Sequence, residues 1–253
     1  MSVSRKGVYL LPNLLTSATL FGGFYAIVAA FDGKYEYAAI AILISALFDG
    51  LDGRIARLTN TTSKFGAEYD SIADVVAFGL APGILIFTWA LRPYERYGWI
   101  AAFLYVVCGA LRLARFNTQI STVEMKNFKG LPIPAAAALV ASTVLLFYTL
   151  NIEVAKHITV LLLIYLLAYL MVSNIKYYSF KELNLSQRIP FSLLIAAIML
   201  LLLVVAKPPM MLFILTLGYA LSGPVAVLIK REKLKKMLER SREKKKIKKT
   251  LDT

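Results

Sequence analysis

Apolar runs of roughly 18–22 residues, long enough to cross a bilayer as helices, recur along this chain with short polar connections between them. Their positions predict eight spans, over roughly 13–31, 36–57, 70–91, 98–116, 133–150, 157–175, 189–206 and 209–229. The expected fold is therefore an all-α polytopic membrane protein of about eight transmembrane helices. It divides into a transmembrane domain, 1–229, and a basic tail, 230–253. The second run is unusual. Its apolar part ends near Phe48, but the helical pattern continues through Arg57 and carries Asp49 and Asp52 to the membrane edge.

Composition agrees with the pattern. Of 253 residues, 58% are hydrophobic and 17% charged, with a mean hydropathy of +0.66, which excludes an ordinary soluble domain. The opening MSVSRKGVYLLPN has no small-residue cleavage site, so mature sequence is expected there rather than a signal peptide. Cys108 is the single cysteine, so no intrachain disulfide framework can form. Gly22-Gly23 and Ala135–Ala138 are small-residue runs that let helices pack closely. Tyr94, Tyr97, Trp99, Tyr177 and Tyr178 fall at span ends, as in an interfacial aromatic belt. His157, the single histidine, falls at the outer start of the sixth span, away from the aspartates.

The net charge of +14 is unevenly placed. Twelve Lys/Arg against four Asp/Glu leave +8 in 230–253. Directly after a membrane helix, such a tail suits anionic lipid headgroups rather than nucleic acid; a solvated helix fits its composition equally. Leu234, Met237 and Leu238 permit a short amphipathic helix on the membrane surface. Loops containing Arg5/Lys6, Arg57/Lys64, Arg112–Lys129 and Lys176–Arg188 are much richer in Lys/Arg than the alternate set. The positive-inside rule then puts both termini and the aspartates at the cytoplasmic face.

Between Asp49 and Asp74 the chain reads D49-G-L-D52-G53-R-I-A56-R57, eight residues, then G66-A-E-Y-D70-S-I-A-D74. Carboxylates beside apolar spans are costly and mark a functional site by default. Asp49, Asp52 and Ala56 share one helix face, and Asp70 and Asp74 share a face of the next helix. Two helices can thus aim two carboxylates each into one cavity, where divalent cations would neutralise them. Oxygen-only ligation suits Mg²⁺ or Mn²⁺. Gly53 and Ala56 leave room for a nucleotide pyrophosphate to approach the backbone, and Arg57 could pair with a phosphate or stack on a base. Helix capping accounts for one such aspartate, Asp70 for instance, but not for Asp49 and Asp52 beside an apolar span.

The run Asp52-Gly53-x-x-Ala56-Arg57-x8-Gly66-x3-Asp70-x3-Asp74, preceded by Asp49, resembles the signature of the CDP-alcohol phosphatidyltransferase family at every spaced position. The motif covers the second and third predicted spans, and the resemblance in span layout reaches most of the chain except the tail. It implies transfer of a phosphatidyl group from a CDP-activated lipid to an alcohol, with release of CMP. It also implies two divalent metals held by Asp49, Asp52, Asp70 and Asp74, with Asp74 as base and partial ligand. From the residues alone, ligand and base are not separable among the four. A homodimer is implied by the resemblance only.

Further stretches bear on the acceptor. Pro12-Asn13-Leu14-Leu15-Thr16, Phe78–Pro82, Arg112-Leu-Ala-Arg115-Phe-Asn117 and Phe128–Pro134 look like the membrane-integrated subfamily that uses L-serine. CDP-diacylglycerol, L-serine and CMP are then the expected partners, in a prokaryotic cell or inner membrane. Arg112 and Arg115, three apart, could bind the serine carboxylate; they are equally well placed as interface anchors. Asn13 and Thr16, with Gly53, Ala56, Arg57 and Gly66, are candidate CDP/CMP contacts; Asn13 could also simply cap the first helix. Gly130-Leu-Pro-Ile-Pro134 would shape a rigid lead-in to the fifth span. Glycerol 3-phosphate or inositol phosphate are alternative acceptors within the family. A cation- or proton-coupled transporter is the rival of another class, but its charges belong near the midplane rather than at one face.

Overall fold

The structure, a computed structural model, describes residues 10–59, 63–120, 128–153, 157–177 and 206–251. The predicted seventh span, 189–206, lies almost wholly outside the described residues, as does Tyr178.

The first two helices, α1 (Leu10–Phe31) and α2 (Tyr35–Leu58), form a tight antiparallel pair around a turn at Gly33, whose φ of 76° is the left-handed conformation glycine tolerates. Helices in lipid gain little from hydrophobicity against one another, so close backbone approach carries the association. Ala26, Ala29 and Ala30 of α1 and Ala38, Ala39, Ala41 and Ile42 of α2 are all buried. A Cβ on Gly22 would run into Ser45 Oγ. The stripe Ala38, Ala41, Ser45 on α2 advances by three or four residues and, continued, reaches Asp49 and Asp52. The carboxylates therefore lie on the seam of the α1–α2 interface, at its α2 C-terminal end.

The next segment begins at α3 (Lys64–Asp74), capped by Ser63, whose Oγ accepts from Gly66 N at 2.9 Å. It runs without a break through a π-helical turn (Val75–Leu80), α4 (Ala81–Ile86), a second π-helical turn (Phe87–Leu91) and a 3₁₀ turn (Arg92–Tyr94). At Glu95, φ 47°, the chain reverses into α5 (Glu95–Ile120). The resulting hairpin is held by small residues: a Cβ on Gly98 would strike Leu91 O, and one on Gly83 would lie 2.8 Å from Val106 Cγ2. Tyr105, fully buried, donates to Phe78 O at 3.1 Å across the same seam.

After α5 come β1 (Phe128–Lys129), α6 (Ile133–Thr149), α7 (Ile158–Val172), β2 (Lys176–Tyr177) and α8 (Pro208–Leu251). β1 and β2 pair antiparallel, Phe128 with Tyr177 and Lys129 with Lys176. Gly130, φ 84°, donates its N–H to Ile175 O at 2.8 Å, and a Cβ there would strike Met171 O. Pro132 and Pro134 open α6, as expected of that proline pair.

Tyr177 departs from the aromatic-belt expectation. It is 1% exposed and donates to Ala220 O of α8 at 2.9 Å, because the β1–β2 clasp draws it inward. Tyr97 and Trp99, by contrast, are exposed at the start of α5. Cys108 is buried in the core, and His157 Nε2 lies 2.7 Å from Glu153 O at the start of α7.

Among the described residues, three helical stretches are long and apolar enough to cross a membrane: Pro12–Phe31, Lys64–Thr118 and Pro208–Ile229. Lys64–Thr118, 55 residues, is the folded-back hairpin just described. Ile133–Thr149 and Ile158–Val172 are shorter apolar helices. α8 continues unbroken past 229 through the basic segment to Leu251.

Candidate active site

Asp49 and Asp52 come from the C-terminal part of α2, and Asp70 and Asp74 from the last turns of α3. Packing of α1 against both helices brings the two pairs together. One oxygen each of Asp49, Asp70 and Asp74 lies within 4.8 Å of the others. Three carboxylates this close in a partly buried setting repel strongly unless a cation or proton lies between them. Asp74 is buried, and its Oδ1 has no hydrogen-bond partner. A buried acceptor without a donor, in an all-oxygen set, fits a hard divalent cation such as Mg²⁺ or Mn²⁺.

Asp52 occupies a different environment. Its Oδ2 accepts from Thr16 Oγ1 of α1 at 3.0 Å, and both residues are buried. Gly53 beside it is exposed, with open space where a Cβ would stand. Gly66 faces Asn13: a Cβ there would lie 3.5 Å from Asn13 Oδ1. Ser17 and Tyr69 were not legible in the sequence as a pair, yet their hydroxyls meet at 2.8 Å and tie α1 to α3. Tyr69 also stacks on Phe65, with centroids 6.0 Å apart. The side chains of Ala56 and Arg57 lie outside the described residues.

Arg112 and Arg115 sit on neighbouring turns of α5 but go to different places. Arg112 is buried, lies in the field of Asp74 and Tyr219, and its Nε has no partner. Arg115 Nη2 donates to Asn174 Oδ1 at 2.6 Å, and its Nη1 to Val172 O at 3.5 Å, which fastens α5 to the end of α7. Asn117 Nδ2 donates to Ser71 Oγ at 2.8 Å and fastens the same end of α5 to α3. Tyr219 of α8 packs against Tyr177, centroids 5.7 Å apart.

The site thus has an acidic cluster that suits a divalent cation, and the buried Arg112 lies in the field of one of its members, Asp74. That combination suits metal-assisted chemistry on an anionic substrate. The family model for CDP-alcohol phosphatidyltransferase matches residues 9–172, and the chain belongs to that phosphotransferase family. It is 44% identical over 191 residues to the CDP-diacylglycerol–serine O-phosphatidyltransferase of Helicobacter pylori, covering 74% of this chain and 80% of that one. It is 37% identical over 169 residues to the archaetidylserine synthase of Methanothermobacter thermautotrophicus, covering 66% of this chain and 69% of the relative. A CDP-diacylglycerol–serine O-phosphatidyltransferase of Methanocaldococcus jannaschii is 42% identical over 136 residues, 54% of this chain and 61% of that one.

Proposed function

We propose that this protein transfers the phosphatidyl group of CDP-diacylglycerol to the hydroxyl of L-serine, giving phosphatidylserine and CMP. The observation that carries the reading is the cluster of Asp49, Asp70 and the buried Asp74, with a buried arginine, Arg112, in the field of Asp74. Serine stands in the names of all three relatives, whereas the lipid part is CDP-diacylglycerol in two and archaetidyl in the third.

Asp49, Asp70 and Asp74, with Asp52 beside them, would hold two divalent ions, Mg²⁺ or Mn²⁺. When bound, such ions neutralise the pyrophosphate charge and hold it in place. Gly53, Ala56, Arg57 and Gly66, with Asn13, would contact the nucleotide. Arg112 receives the serine carboxylate and orients the amino acid. Asp74 takes the hydroxyl proton as the serine oxygen bonds to the phosphatidyl phosphorus. The phosphorus–oxygen bond to CMP breaks, and CMP leaves with the electron pair. The proton on Asp74 is then lost to solvent. The chain would function as a homodimer of eight-span protomers, with the polar cavity and both termini at the cytoplasmic face of a prokaryotic membrane.

Purified protein supplied with CDP-diacylglycerol and Mn²⁺ or Mg²⁺ tests this through CMP release, compared among L-serine, glycerol 3-phosphate and inositol phosphate. Release driven by serine alone, and abolished by chelator, is the expected result. Release driven by a phosphorylated acceptor would overturn the acceptor assignment while leaving the family intact.

A further inference from the structure

The seam between α1 and α2 carries a polar contact in addition to its small residues. Antiparallel packing that sets Gly22 against Ser45 also sets Thr16, a turn and a half nearer the N-terminus, against Asp52, two turns nearer the C-terminus of α2. Thr16 and Asp52 are each 4% exposed. The Thr16 hydroxyl has one proton and two acceptors in range, Asp52 Oδ2 at 3.0 Å and Pro12 O at 3.1 Å. With a cation bound nearby to keep Asp52 ionised, donation to its carboxylate is the stronger of the two, roughly twice a neutral bond. With its hydroxyl committed there, Thr16 has no second proton to offer a nucleotide phosphate. Of the four aspartates, Asp52 alone stands outside the set whose oxygens lie within 4.8 Å of one another.

We propose that Thr16 is a positioning residue: its hydroxyl holds Asp52 Oδ2 across the α1–α2 seam and thereby sets the affinity of the acidic site for its divalent cation, rather than contacting the nucleotide. Groups that orient a ligating carboxylate typically influence metal affinity by about 10–100-fold. Valine at this buried position would keep the shape of threonine and lose the donor. The proposal rests on the reading of the aspartates as a cation site.

The test measures Mn²⁺ binding to the full-length protein in detergent by calorimetry, without substrate, for the wild type, Thr16→Val, Thr16→Ala and Thr16→Ser. Thermal melting of each variant checks folding, and Thr16→Ala supplies the hydroxyl deletion if the valine packs badly. Binding weakened about 10-fold in the hydroxyl-deletion variants and restored in Thr16→Ser is the expected result. At saturating Mn²⁺, the KM for CDP-diacylglycerol should then match the wild type. Wild-type Mn²⁺ affinity in Thr16→Val with a raised KM for CDP-diacylglycerol would overturn the proposal in favour of a nucleotide contact. Absence of Mn²⁺ binding in the wild type would overturn the cation-site reading itself, and the proposal with it.

Discussion

Gly23 of α1 packs directly on the backbone of Ala77: a Cβ added to Gly23 would lie 2.6 Å from Ala77 Cα and 2.9 Å from its Cβ. Ala77 stands in the π-helical turn that begins immediately after Asp74. From the Ser17–Tyr69 hydroxyl contact to the Gly23–Ala77 contact, six residues of α1 run beside eight of the partner segment. The wider π-helical turn falls within the longer of the two stretches, directly after Asp74. Glycine at position 23 is therefore a condition for the geometry of the site one turn away.

Substituting Gly23 should consequently affect catalysis as well as packing. Overpacking of this kind typically costs about 1–3 kcal/mol. Gly23→Ala is expected to lower the melting temperature in detergent and to reduce CMP release further than stability alone explains. Full activity at a temperature where the variant is folded would separate Gly23 from the placement of Asp74.

Tyr105 supports the same turn from the other side through its bond to Phe78 O. Tyr105→Phe removes a buried donor without changing shape, at a cost of about 1–3 kcal/mol for the carbonyl that loses it. The expected signature is a lower melting temperature with a reduced kcat, because the lost bond holds the turn that follows Asp74.

Arg112 and Arg115 should behave differently. Loss of a hydrogen bond to a charged group is worth about 1.5–3 kcal/mol, so Arg112→Lys should raise the KM for L-serine by about 10-fold or more. Arg115→Ala should leave that KM near the wild-type value and mainly lower thermal stability, since Arg115 is engaged with Asn174 and Val172. Equal effects of both substitutions on serine KM would remove Arg112 from the acceptor site.

Asp74→Asn keeps the size of the side chain and removes the base. Proton transfer by a positioned group typically contributes about 10²–10⁴-fold, so CMP release should fall at least that far while the melting curve stays close to wild type. A variant that turns over at wild-type rates would exclude Asp74 from the mechanism.

The helical membrane character and the four aspartates could be read from the chain because both are local properties. Apolar run length reports a span, and charges at i, i+3 or i, i+4 beside such a run report a shared helix face. The Gly22-Gly23 pair of α1 likewise declared itself as a packing surface. The sequence could not say that Thr16 meets Asp52, that Ser17 meets Tyr69, or that Arg112 reaches the site while Arg115 turns to Asn174. Those facts depend on the register of one helix against another, which no local periodicity encodes. Tyr177 shows the same boundary: its position at a span end suggested the interface, but the β1–β2 pairing buried it beneath α8. What the chain determined by itself was which residues carry charge and which helix faces they share; which of those charges meet was decided by close packing at Gly22, Gly23, Gly83 and Gly98, where the absence of a side chain lets the helices approach.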